Sequence, residues 1–502
     1  LPKPSTSRSF EPCSPEVDQT EVCVKQLETR PISEEQLVAE VKGIYAGLVM
    51  VESKCIEVVN AQGSSPKLNN EQWQALIALH RTLLHEHHDF FLASQHPSAS
   101  PTLRGLAMPA FEDAWIEYLG DLGRYRMAIE DDDLRVREVW ASTSRHWYSK
   151  ASDRAPTTGQ IYHHLAILTR PKALQQLFYY SKSLCVPIPS VPARESIMTL
   201  FKPLDESPIC LQEVDVAFVR AHGSLFSGRN QDFAPSVDKF VNSLDLHIGR
   251  TRLRWMESGY YIGIALGCSL LEYGSESNVL IRSIKAGSKQ GVEAFAPSQN
   301  FLNALDFTSR THNVVFRRFG DPSVYPYLHV TLSFLYYFSK YPAVTYIESK
   351  SPWKLISLML NALVGHCSDF GKIEDEGFPP KQSPRPLPDD FAQRGLLWAE
   401  KYYPDNWFAA AEIDYEEKYS EKASMMEERQ DRCLWLGHRI AVSTSGRWLT
   451  YNENLRQFSV AARYAIPLDS LPTVSRTERV TTQPTRWGKV IDDDVDIPDA
   501  PM

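Results

Sequence analysis

The chain has 502 residues, 43% of them hydrophobic and 23% charged, and a formal net charge of −9, the balance of a globular protein with more than one core. No apolar run reaches the ~18–20 residues of a membrane span, and the acidic balance argues against a purely electrostatic nucleic-acid binder. The eight cysteines form no Cys-x-x-Cys pair, which points away from zinc ribbons and a disulfide framework and toward a reducing compartment.

Residues 1–30 are rich in Pro, Ser and charge and read as a disordered lead-in. A helix is expected from Ser33, where Glu34 and Glu35 suit a first turn and Leu37, Val41, Ile44, Tyr45, Leu48 and Val51 recur at helical spacing. A loop over 61–70 leads to a second helix over about 71–94, and a third covers about 110–130. Short helices separated by Pro and Gly follow, the pattern of stacked helical hairpins. A helical block is expected over about 215–464, with loops near 272–300, 368–390 and 443–447. Within it "YYIGIALGCSLL" (260–271) is too short to span a bilayer and reads as a buried helix, and "YPYLHVTLSFLYYF", whose strand-like alternation leaves both readings open, is given to helix on its length. The end, "IDDDVDIPDAPM", reads as a disordered acidic tail. The fold class is all-α.

The histidine-rich run "HRTLLHEHHDFF" (80–91) invites a metal reading, but the His-Glu-x-x-His spacing of a zinc protease is absent, because Asp89 stands where the second histidine is needed. On a helical wheel Trp73, Leu76, Ile77, His80, Leu83, Leu84 and His87 share the core stripe, whereas Arg81 and His85 lie together on the other side. His80 and His87 are expected to be buried and hydrogen-bonded, with no metal. There is no Gly-rich phosphate loop and no Gly-x-Ser-x-Gly elbow, and the acidic triplets at 131–133 and 492–494 read as solvated runs. No enzyme and no cofactor are expected.

"YLGDLGRYRM" (118–127) places two glycines and two arginines in the third helix. Trp115, Tyr118, Leu119, Leu122 and Tyr125 form its apolar stripe, Arg126 points with them, and Arg124 points away. Asp121 stands three residues before Arg124, a spacing at which side chains meet. Gly120 and Gly123 leave one flank bare for another backbone or a ligand. Two readings are open: an ion pair in the scaffold, or a socket in which the Arg124 guanidinium and a tyrosine hydroxyl hold a phosphate.

"LGDLGRYR" resembles the 14-3-3 helix that carries an Arg-Tyr pair for phosphoserine, and resembles still more the same segment in the Est/SMG family of telomerase-associated Est subunits and adaptors of nonsense-mediated mRNA decay. "WYSKASDRAPTTGQIYHHLAILTRPKALQQLFYYSKSL" is similar to that family's tetratricopeptide-like block, and "FVRAHGSLF", "SPWKLISLMLNALV", "RPLPDDFAQRGLLWAEKYYPDNWF" and "GRWLTYN" resemble its later landmarks, in order over about 35–460 and with the character of fungal members. The resemblance implies a 14-3-3-like domain with tetratricopeptide-like repeats over 31–240, a helical-hairpin domain over 241–465 and a tail over 466–502. It assigns phosphopeptide binding to Arg124 and Tyr125. The family's second basic residue falls on Ala78, so Arg81, one turn on, or His85 beside it is expected to substitute. The family's Tyr-Asn-Gln-Leu-Ala reads Tyr162-His163-His164-Leu165-Ala166, and its Tyr-Tyr-x-Arg-Ser reads Tyr179-Tyr180-Ser181-Lys182-Ser183, which adds His163 and Lys182 to the expected site.

The resemblance implies a non-enzymatic adaptor. With an acidic tail at its end, the chain is expected to lack the PIN nuclease domain of some members, and so to bind rather than cut. The expected partner is a phosphorylated protein, an Upf-type helicase in the decay branch, with a family paralogue as a further partner; the expected location is nucleus and cytoplasm, and no membrane is involved. An alternative is a telomerase-associated regulator that binds single-stranded RNA or DNA, for which "HIGRTRLRW" (247–255) and "FRRFG" (316–320) mix arginine with aromatics. A third is a structural scaffold with a decayed pocket.

Overall fold

A computed structural model describes residues 33–60, 69–130, 133–201, 212–229, 231–287, 296–379, 386–409 and 418–465; the expected lead-in and tail, and the triplet at 492–494, lie outside them. Among the described residues the regular elements are helices apart from one antiparallel hairpin, β1 (Leu449–Asn452) and β2 (Gln457–Val460), and a single bridge between Thr158 and Ile188. The all-α reading holds. The chain falls into two compact units, Leu1–Tyr118 and Leu119–Met502. The division expected at 240/241 instead falls inside a continuous helix, Phe233–Thr251.

The first unit is built on α1 (Glu34–Asn60) and α2 (Asn70–Gln95), which pack on each other. Both start on a reciprocal cap. Ser33 Oγ accepts from the Gln36 N–H while Gln36 Oε1 accepts from the Ser33 N–H, and Asn69 and Gln72 repeat the exchange. Leu48, Val51 and Leu83 form the core, with Ile44, Cys55, Leu79 and Tyr118 packed against it. His80 and His87 are buried, and each shares a hydrogen bond from Nδ1 with the carbonyl one turn back, Leu76 at 3.0 Å and Leu83 at 2.8 Å. They are core histidines, as their stripe requires.

α3 (Pro101–Ile129) begins nine residues earlier than the periodicity suggests. In the second unit α4 (Leu134–Arg154) is capped by Asp133 of the first acidic triplet, whose carboxylate accepts from the Arg135 N–H at 2.8 Å. Then come α5 (Gly159–Leu168), α6 (Ala173–Leu184), the short α7 (Ala193–Ser196) and α8 (Met198–Phe201), α9 (Glu213–Ser227), α10 (Phe233–Thr251) and α11 (Trp255–Leu270). The pairs α4–α5, α5–α6 and α9–α10 pack as sequential hairpins, and α6 also packs on α9 and α11. "YYIGIALGCSLL" is the buried α11.

The loop expected over 272–300 contains a helix, α12 (Val279–Ala286), capped by the Asn278 side chain on the N–H groups of Leu280 and Ile281. α13 (Gln299–Val315) and α14 (Tyr325–Phe338) pack on α11. α14 is the segment whose alternation imitated a strand; it is buried on nearly every side, so its apolar residues carry no single stripe. α15 (Val344–Glu348), α16 (Trp353–Val364), α17 (Gly371–Glu374), α18 (Pro388–Gln393) and α19 (Ala423–Ser443) complete the unit. The helical block ends at Ser443. The residues expected to continue it form the β1–β2 hairpin, paired from Leu449–Val460 to Asn452–Gln457, which packs against α16 and α19.

α18 is braced to α19 by fully buried ion pairs. Asp389 accepts from Arg429 Nε and Nη2 at 3.0 and 2.7 Å, and Asp390 accepts from Arg432 Nη1 at 2.7 and 2.6 Å. His329 of α14 bonds Asp389 through Nδ1 and the Tyr402 hydroxyl through Nε2. His329, Asp389 and Asp390 could geometrically hold a cation, but each carboxylate already faces its own guanidinium.

Candidate functional site

The face of α3 that packs is the glycine face. Ile116, Gly120, Gly123 and Met127 recur at four and three and are all buried. The stripe expected to be buried is half-exposed at Trp115, Tyr118, Leu119 and Leu122, and Arg126 is exposed with a loose pair to Glu130 at 3.7 Å. The reason is α4. A Cβ on Gly120 would stand 2.8 Å from two ring carbons of Tyr148, and one on Gly123 would stand 3.0 Å from Ser144 Cβ. Ser144 Oγ donates to the Gly120 carbonyl at 2.7 Å, tying the helices where they meet. The bare flank admits a neighbouring helix.

That approach brings the Tyr148 hydroxyl between Asp121 and Arg124. It donates to Asp121 Oδ1 at 2.6 Å and accepts from Arg124 Nε at 3.1 Å, while Arg124 Nη2 donates to the same Asp121 oxygen at 2.6 Å. The three side chains close a ring. Arg124 keeps 15% of its side chain exposed, and its Nη1 has no hydrogen-bond partner among the described residues. Its guanidinium carbon lies 4.5 Å from the centroid of the buried Tyr125 ring. Burial alone would raise the Asp121 carboxyl, but the Arg124 charge, His164 and the bonds from Tyr148 and Arg124 outweigh it and hold it at about 2. Burial drives the Tyr148 phenol well above its ordinary value.

α5 supplies two histidines to the same neighbourhood. His164 Nδ1 lies 4.0 Å from Asp121 Oδ1, and its ring centroid is 4.8 Å from that of Tyr148. His163 Nε2 shares a 2.9 Å hydrogen bond with Ser196 Oγ. The Nδ1 atoms of both are buried with no hydrogen-bond partner among the described residues. Burial, and then the Arg124 charge, lowers His163 to about 4 and His164 well below its ordinary value. Both rings are therefore neutral near neutral pH. The local charge is Arg124 balanced by Asp121, with two imidazoles available to protonate only in acid.

The other expected residues fall elsewhere. Lys182 is not part of this constellation. It is 2% exposed, its Nζ donates to the carbonyls of Phe391 and Ala392 at 3.2 and 2.8 Å, and it lies 4.3 Å from the Tyr162 ring centroid. Burial pushes its amine well below the usual lysine range. It serves as a donor that ties α6 to the end of α18, the work of an internal cation and not of a peptide-facing one. Arg81 and His85 are exposed side by side on α2, in the first unit, as is Ala78.

The two arginine motifs converge. Arg318 donates from Nη1 to the Asp245 carboxylate at 2.7 Å and from Nε to Asp321 at 2.8 Å, so "FRRFG" lies against the end of α10. At the end of α10 and on the turn that joins it to α11, Arg250, Arg252 and Arg254 are exposed, and none has an ion pair among the described residues. Leu253 and Phe319 are exposed in the same two motifs. Arg252 has a φ of 50°, a left-handed value uncommon for a side-chain-bearing residue.

The profile of the family described as "Est1 DNA/RNA binding domain" matches residues 144–397, half of the chain. The chain belongs to the Est1 family. The match takes in Tyr148, the two histidines and both arginine motifs, and starts after Arg124. Among individual proteins, "Telomerase-binding protein EST1A" of Danio rerio is 36% identical over 85 residues, which is 16% of this chain and 5% of that protein. The chain thus spans a small part of that relative's length. Among solved structures, "Structure of the C. elegans SMG5-SMG7 complex" aligns with a TM-score of 0.37 at 14% identity, covering 76% of this chain and 98% of that one.

Proposed function

We propose that the chain is a non-enzymatic adaptor of the Est1 family whose Arg124–Tyr125 socket receives a phosphorylated serine or threonine peptide, in nonsense-mediated mRNA decay. The observation that carries the reading is the locked guanidinium. Two of its three nitrogens are fixed by Tyr148 and Asp121, so the remaining Nη1 edge is held in one place. An arginine oriented in advance loses little side-chain entropy on binding, and its planar fork suits a phosphate better than a mobile lysine does. Because Asp121 cancels the Arg124 charge locally, tight phosphate binding needs a further cation. The partner is a phosphorylated protein, of Upf-helicase type.

Titration of the full chain with fluorescent phosphoserine and unphosphorylated serine peptides tests this. The phosphorylated peptide binds at least about tenfold tighter if the reading is right, since a charge-assisted pair contributes about 1.5–3 kcal/mol. Equal, weak binding of both would make the ring a piece of scaffold.

A second reading rests on a different surface. The exposed Arg250, Arg252 and Arg254, without an ion pair among the described residues, have with Leu253 and Phe319 the charge and apolar faces that a single-stranded nucleic acid uses. The family's description as DNA/RNA-binding favours this, and a telomerase-associated role would use it. Binding of single-stranded RNA or DNA that weakens with salt and is lost in the triple Arg→Gln variant supports it; binding that the variant leaves intact contradicts it.

A further inference from the structure

α9 and α10 pack as a hairpin, and residues of both line a cleft of about 400 Å³. The residue pattern accounts for the gap. On α9 the lining residues Arg220, Gly223, Ser224 and Ser227 stand three and four apart, and on α10 Ser236 and Lys239 stand three apart, so each helix offers one face. Small side chains at three of those four α9 positions leave the space open. Phe201, at the end of α8, lines the cleft against Gly223, where a Cβ would stand 2.9 Å from its Cδ1. Any larger residue there would push the Phe201 ring aside.

Three cations line this space, Arg220, Arg229 and Lys239, against one carboxylate, Asp232, in a chain whose formal net charge is −9. Arg229 is held from within the cleft. Ser227 Oγ donates to the Gly223 carbonyl at 2.7 Å and accepts from Arg229 Nε at 3.2 Å. That bond fixes one edge of the guanidinium, and Arg229 is exposed with no ion pair among the described residues. Lys239 pairs with Glu213 at 3.3 Å, but both side chains are more than half exposed. Such a pair contributes little and gives way to a denser anion.

We propose that this cleft binds a compact, multiply phosphorylated small molecule of the inositol polyphosphate class. Its volume lies in the ~300–1,000 Å³ range of small-molecule sites, more than one phosphate fills, and its cations come from two helices and the turn between them. An oriented guanidinium and an ammonium with hydroxyls beside them recognise phosphate groups, and they ask for several at once. The lining decides against other anions. Its one aromatic ring, Phe201, is packed on Gly223 and lies 5.9 Å from the Phe226 centroid, so it is no open platform for a nucleic-acid base. None of the lining residues is an exposed large apolar one, so nothing at the cleft enters a lipid surface, and the ligand is the soluble molecule.

The probe is tritiated myo-inositol hexakisphosphate, measured by equilibrium dialysis against the full chain in about 0.15 M salt, where loose attraction between exposed charges is screened. One saturable site per chain is expected, with the double variant Arg229→Gln/Lys239→Gln weakening it at least about tenfold. A charge-matched double variant elsewhere in the same unit, Lys285→Gln/Lys340→Gln, leaves the affinity within about twofold. All four positions are exposed, and a melting curve checks that each variant is folded. No binding, several equivalents bound per chain, or an equal loss in both double variants overturns the proposal. Capture by vesicles carrying phosphorylated inositol headgroups without binding of the soluble probe overturns it as well.

Discussion

Tyr148→Phe is the most informative single change, because the hydroxyl it removes closes the ring around Arg124. That oxygen donates to Asp121 at 2.6 Å and accepts from Arg124 Nε at 3.1 Å, in a side chain with no exposed surface. Phenylalanine keeps the ring that fills the space opposite Gly120, so the packing term is close to zero. Arg124 Nε loses this acceptor and Asp121 loses this donor. Hydrogen bonds to charged groups contribute about 1.5–3 kcal/mol each, and a buried orphan donor costs more than the bond was worth in water, so the expected loss is about 2–4 kcal/mol. Urea unfolding at neutral pH measures it directly. A second signature accompanies it. The Asp121 carboxyl, held at about 2 partly by this hydroxyl, rises, and the acid limb of the stability curve moves to higher pH. A loss below about 0.5 kcal/mol, within the range of an ordinary surface change, would refute the claim that this ring fixes Arg124.

Three further outcomes follow from the same geometry. Gly120→Ala drives a methyl to 2.8 Å from the Tyr148 ring and destabilises by about 1–3 kcal/mol, whereas Gly43→Ala, with nothing within 4 Å, stabilises α1 by up to about 1 kcal/mol; paired thermal melts of the two variants separate clash from propensity. His163 titrates at about 4 when folded and near 6.5 when unfolded, so the unfolded chain takes up a proton that the folded chain refuses; its contribution is complete above pH 6.5 and falls by up to about 3 kcal/mol as pH drops to 4. His163→Gln flattens that slope in a pH series of urea midpoints. Arg429→Met leaves the Asp389 carboxylate buried beside only His329 and costs about 3–5 kcal/mol, read as a fall in unfolding midpoint that Asp389→Asn in the same chain partly restores.

Much of the scaffold could be read from residue order. Helical periodicity and the start at Ser33 locate α1, periodicity alone locates α2, and the wheel that put His80 and His87 inside also put Arg81 and His85 outside. Length decided correctly for helix at α14. The wheel failed on α3, because it scores side chains and the buried face there is made by two residues that lack them. Glycine is indifferent to hydropathy, and only the opposite helix shows that Gly120 and Gly123 mark a contact. Lys182 misled for a related reason: its two carbonyl partners lie about two hundred residues away in sequence, and local charge carries no trace of them. The Asp389–Arg429 and Asp390–Arg432 pairs share that non-local origin. The β1–β2 hairpin was absorbed into a helical block because its strands have four residues each, shorter than the window in which alternation stands out.

The measurement that bears most directly on the account is the affinity ratio for phosphorylated over unphosphorylated peptide in Arg124→Gln and in Arg126→Gln. Both changes remove one positive charge, two residues apart on the same helix. The account predicts that Arg124→Gln brings the ratio to about one, a loss of the charge-assisted bond, while Arg126→Gln, whose side chain is exposed with only a loose 3.7 Å pair to Glu130, leaves it within about twofold of the wild-type value. A ratio that falls equally in both variants, or that survives Arg124→Gln, would contradict it.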